Sequence, residues 1–73
     1  MTLRLKAVDL GYGILLTGIE SQADAERLQA YIHDNGLGSR IEPQTDGKYQ
    51  ILIHGISRDA FNWLIAGADV ELI

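Results

Sequence analysis

One short phrase occurs twice in this chain, and few folds accommodate it. Ile14-Leu15-Leu16-Thr17-Gly18-Ile19 runs into Glu20-Ser21, and Ile51-Leu52-Ile53-His54-Gly55-Ile56 runs into Ser57. Each copy reads as a buried strand, a glycine that lets the backbone turn, and a serine that caps the next helix. Two copies within 73 residues imply two strand-helix units that share one core. A chain this short hides only about 60% of the surface its unfolded form exposes. One layer of helices on one sheet is therefore about the limit, and residues 1–73 are expected to form a single domain.

The segments between the copies complete the pattern. Thr2 to Asp9 alternates Leu3, Leu5 and Ala7 with Arg4, Lys6 and Val8, the period of a strand with one face on a core and its basic pair outward. Gly11-Tyr12-Gly13 then allows either a hairpin or a bulge within one long bent strand, and the hairpin is the favoured reading. Ser21, with Asp24 three places on, makes a capping box, and Ala25, Leu28, Tyr31 and Ile32 form an apolar stripe that stops at Asn35-Gly36. Ser39 to Pro43 is extended, with the proline suited to an edge strand or its end. Asp46-Gly47 turns the chain, and Tyr49, Ile51 and Ile53 alternate in a returning strand. Ser57 caps a second helix with the stripe Ala60, Phe61, Leu64, Ile65 and Ala68, closed by Gly67, and Asp69 to Ile73 is a last short strand.

The expected fold class is α+β: a ferredoxin-like βαββαβ with an additional N-terminal strand, and two helices on one face of a mainly antiparallel sheet. The repeated unit is strand-helix-strand, Ile14 to Pro43 and Tyr49 to Ile73. The N-terminal strand conflicts with that plan, because the first repeat strand is central and already has two neighbours. Either the sheet order is altered or the first strand is long and bent.

The phrase Ser21-Gln22-Ala23-Asp24-Ala25-Glu26-Arg27-Leu28 follows a strand and is followed by Gly36, a hairpin, a second strand, Ser57 and a helix. In that arrangement Ile14 to Ile73 resembles the bacterial SPOR domain. The resemblance implies a ferredoxin-like fold and binding to denuded peptidoglycan glycan strands. It carries over no binding residues, since the aromatic-rich strand expected of the family has no counterpart at Ile14 to Ile19.

No reaction assembles from the polar residues. His33 and His54 lack metal-ligand spacing, and a helix end and a strand end account for them. Ser21 and Ser57 serve as caps and lack a nucleophile elbow, and Gly11-Tyr12-Gly13 lacks the lysine of a phosphate loop. The expectation is a non-enzyme with no metal and no cofactor. Six basic against ten acidic residues give a net charge of −4, which opposes phosphate-backbone binding, and the residues with the parity of an open sheet face are not aromatic. Direct nucleic-acid binding is not expected. Nor is a membrane, because no apolar run approaches about 18 residues and no signal-peptide pattern occurs. With no cysteine either, the expected location is cytoplasmic.

Protein contact remains, at two places. Leu15 and Leu52 occupy equivalent repeat positions and are expected to form an apolar patch for self-association as a homodimer. Trp63 lies about 100° off the second helix's apolar stripe, near Asp59 and Asn62. It either stands exposed as a binding residue or is covered, by folding over the helix end or packing on the loop Leu37-Gly38. The expected function is a non-catalytic protein-binding module whose partner has a basic surface. By analogy of size and charge it is a phage- or mobile-element-type inhibitor of a larger host complex, anti-CRISPR proteins being one example. The alternative is a SPOR-like glycan-binding module.

Overall fold

A computed structural model describes residues 2–73. Seven elements follow one another as β1 (Leu3–Asp9), β2 (Gly13–Ile19), α1 (Gln22–Asp34), β3 (Ser39–Pro43), β4 (Tyr49–His54), α2 (Arg58–Ala66) and β5 (Val70–Leu72). The five strands form one mixed sheet in the order β3-β4-β2-β1-β5. All its neighbours are antiparallel except β1 and β5, which run parallel.

That order resolves the conflict at the N-terminus. Residues 3–19 form a hairpin, with Asp9 Oδ1 accepting from the Gly11 N–H and the Leu10 N–H donating to the Gly13 carbonyl, both at 2.9 Å. β1 thereby takes the place beside β2, and β5 is displaced one position outward. Locality explains which strand wins. β1 has seven residues and reaches β2 through a turn, whereas β5 has three and lies beyond two helices and a hairpin, so closing the β1–β2 pair costs far less chain entropy. β5 keeps a direction opposite to β2 and so pairs parallel with β1, Leu3 with Val70 and Leu5 with Leu72.

The repeat appears as a local twofold relation at the sheet centre. Leu15 pairs with Leu52, Ile14 with Ile53 and Leu16 with Ile51. Each copy carries a glycine of positive φ, Gly18 within the end of β2 at 91° and Gly55 just after β4 at 67°, a region L-residues with side chains rarely enter. At Gly18 the register of β2 against β4 shifts, and its N–H is held by Gln44 Oε1 at 3.0 Å. The bulge lets Ile19 turn inward, where it is fully buried, and its counterpart Ile56 is nearly so.

Both helices cover one face. Ala25, Leu28 and Ile32 of α1 and Phe61 and Leu64 of α2 pack with Leu5, Ile14, Leu16, Ile51 and Ile53 into a single core. Ser21 and Ser57 cap the helices, each accepting through Oγ from a backbone N–H at 3.2 Å, Asp24 and Ala60 respectively. The end of α1 is a Schellman motif: the Leu37 N–H reaches the Ile32 carbonyl, the Gly36 N–H reaches that of His33, and Leu37 packs on the core beside Ile32.

Two details of α2 differ from the sequence expectation. Ala60 is exposed, because the buried arc centres on Phe61 and Leu64, and Ala60 shares the outer side with Trp63 one turn on. Gly67 has φ −90°, so no left-handed turn requires glycine there. Its role is steric, since a Cβ would stand 2.7 Å from the Tyr31 hydroxyl.

Candidate functional site

The outer side of α2 carries the Trp63 group. Phe61 and Leu64 take the helix's inward positions, and the 3.6-residue period then turns Asp59, Ala60, Asn62, Trp63 and Ala66 outward. All five are exposed, Trp63 at 73%. Of the two placements open to Trp63, the structure has the exposed one, and Asp59 and Asn62 flank it. The two helices carry Asp24, Glu26, Asp34 and Asp59 against Arg27 and Arg58. Asp24 and Arg27 pair with each other within α1, which leaves the remaining acids to set the sign of the local field.

Leu15 and Leu52 face each other across β2 and β4 on the side of the sheet without helices. The patch expected from them is narrower than the sequence implies. Leu52 retains 7% exposure and Leu15 is half-buried, while Val8 beside Leu15 retains 38%. Leu52 sits on a central strand, flanked on both sides by paired neighbours, Leu15 and Arg40, so adjacent side chains close over it. Apolar surface on this face comes from Val8 and Leu15 at its centre and from Ile73, 70% exposed, beside Arg4 and Lys6.

The registers order this face into two rows that cross four strands. One runs Arg40, Leu52, Leu15, Val8, and the other runs Glu42, Gln50, Thr17, Lys6. Four of the chain's six basic residues, Arg4, Lys6, Arg40 and Lys48, lie on this side. Arg40 pairs with Glu42 at 3.6 Å and Lys48 with Glu20 at 3.7 Å. Sequence reasoning missed these rows, because a row joins residues of four strands and exists only once the register is known.

A groove of about 270 Å³ opens between α1 and the turn into β5, with Asp24, Arg27, Tyr31, Gly67 and Asp69 on its walls. The Thr2 hydroxyl donates to Asp69 Oδ1 at 2.8 Å and holds that carboxyl below the usual range. His33 and His54 are both exposed, at the end of α1 and of β4. Among the described residues no three His, Cys, Asp or Glu side chains are grouped to hold a metal ion, and no polar or charged residue is buried. Among them, too, no helix is long and apolar enough to cross a membrane.

No protein-family model, curated protein or solved structure matches the chain. A functional reading therefore rests on surface chemistry alone.

Proposed function

We propose that this protein is a non-catalytic protein-binding module that docks through the outer side of α2. Trp63 is the anchor, and Asp59 and Asn62 are its polar rim. The observation that carries the reading is the 73% exposure of Trp63 on a short helix whose other outward residues are small or polar. An exposed tryptophan leaves a large apolar area in water, and docking removes it at little cost in side-chain entropy. The acid-rich helical layer favours a partner with a basic surface and makes the association weaken with salt. The finer reading is an inhibitor of a larger host complex that occupies such a surface.

The fold reading behind this is ferredoxin-like. Without β1, the order β3-β4-β2-β5 and the antiparallel direction of each neighbour are those of two repeated strand-helix-strand units. β1 is then an insertion between the second and last strands. This leaves the helical layer, and α2 with it, on the outside of the sheet.

The test is affinity capture from lysate of the producing cell with the wild-type chain, Trp63→Ala and Asp59→Lys in parallel. The expected result is a basic protein retained by wild type and lost from both variants, with retention falling as salt rises. Equal retention by Trp63→Ala overturns the reading. Co-sedimentation with denuded peptidoglycan that is unchanged in Trp63→Ala also overturns it, in favour of glycan binding.

A further inference from the structure

We propose that the helix-free face of the sheet binds a second copy of this chain, with Lys6 of one copy against Glu42 of the other. The proposal does not rest on the role of Trp63, which lies on the opposite side of the molecule.

The argument starts from the two rows. In the row Glu42, Gln50, Thr17, Lys6, a negative charge stands at the β3 end, a positive charge at the β1 end, and two neutral polar residues lie between. Three strand spacings separate Lys6 from Glu42, about 14 Å, so the pair cannot close within one chain. Lys6 has no ion-pair partner among the described residues, although acids outnumber bases ten to six. The neighbouring row places Leu52 and Leu15 at the centre, with Val8 exposed at one end and Arg40 at the other.

A twofold axis parallel to the strands, midway between β4 and β2, brings these rows together with complementary chemistry. It exchanges β4 with β2 and β3 with β1. Each Glu42 then lies over the other copy's Lys6, Leu52 over Leu15, Gln50 over Thr17, and the aliphatic stem of Arg40 over Val8. Every contact occurs twice, as an isologous interface requires. The strands of the two sheets stay nearly aligned, the common geometry for stacked sheets, about 10 Å apart. Lysine and glutamate side chains span that gap from either side. A twofold axis across the strands is the other way to stack the faces. It places Glu42 over Arg40, but Leu15 over Thr17, Leu52 over Gln50 and Lys6 over Val8, so each leucine meets a polar side chain and Lys6 meets no acid, and it is disfavoured.

The near-burial of Leu52 changes how the interface is tested. A charge at Leu52 reports on folding as well as association, whereas Lys6 and Glu42 lie at surface positions. Lys6→Glu makes both row ends negative, and Glu42→Lys makes both positive. Each variant alone then repels its own copy at two places. A mixture of the two restores opposite charges at every contact.

The experiment is sedimentation equilibrium over a concentration series, with circular dichroism to verify that each variant is folded. Wild type is expected to move toward twice the 8.0 kDa of one chain. Each single reversal is expected to weaken association at least about tenfold, and the equimolar mixture to recover it. On wild type itself, carbodiimide cross-linking of isotopically mixed chains is expected to join Lys6 of one copy to Glu42 of another. A wild-type monomer at every concentration overturns the proposal. So does a dimer indifferent to both reversals, a mixture no stronger than its components, or cross-linking without a Lys6–Glu42 product.

Discussion

The Tyr31 hydroxyl donates to the Leu64 carbonyl over 2.7 Å and ties the last turn of α2 to the last turn of α1. The same oxygen determines what can occupy Gly67, where a Cβ would stand 2.7 Å from it. Tyr31→Phe is expected to cost about 1 kcal/mol, the usual net worth of one such bond. Gly67→Ala is expected to cost about 1–2 kcal/mol by overpacking. In the Tyr31→Phe background most of the Gly67→Ala cost disappears, because the phenylalanine lacks the clashing oxygen. Urea denaturation of the four proteins in this cycle measures the coupling, and strict additivity would contradict the contact.

Leu52 and Trp63 exchange the stability roles that large apolar residues on an open sheet face and a buried helix would suggest. Leu52 retains 7% exposure on the helix-free face, and Trp63 retains 73% on a helix that otherwise covers the core. Leu52→Ala is therefore expected to destabilise by about 2 kcal/mol, at the low end for a buried leucine because the site opens toward solvent. Trp63→Ala is expected to stay within about 0.5 kcal/mol of wild type. Thermal denaturation of the two variants checks both. As the only tryptophan, Trp63 also reports directly: its fluorescence is expected to be strongly quenched by acrylamide in the folded protein.

The pH response links the N-terminus to the turn before β5. The Asp69 carboxylate accepts from the Thr2 hydroxyl, and its folded pKa is lowered. A depressed carboxylate pKa stabilises the fold above the unfolded value, near 3.9, and that contribution is lost as pH falls through the folded value. Thr2→Val is expected to raise the Asp69 pKa and to reduce the loss of stability between the two values. Carbon-detected NMR titration of the Asp69 carboxyl measures it. An unchanged titration would show that the hydroxyl is not the cause.

Much of the local structure is legible without coordinates because its causes are local. Ser21 and Ser57 cap helices because a hydroxyl at that spacing reaches the free amides of the first turn. Tyr49, Ile51 and Ile53 alternate as β4 does because side chains along a strand point to opposite faces. The pairing of Leu15 with Leu52 follows from the repeated phrase, since equivalent positions of a twofold-related unit meet at its axis.

Sheet neighbours, burial on the helix-free face and the exposure of Trp63 depend on segments far apart in the chain, and these only the tertiary structure decided. β1 lies between β2 and β5 because a strand joined by a short turn closes its pair at lower entropic cost than one returning after two helices, a competition that no period in residues 2–9 records. Leu52 is nearly buried because central strands shield one another. Lys6 and Glu42 end one row because three registers coincide. Gly67 is glycine because Tyr31, 36 positions earlier, places its oxygen there. The sequence by itself determined which segments turn, cap and alternate, through interactions within a few residues; which of those segments become neighbours was settled by the competition among them for one shared core.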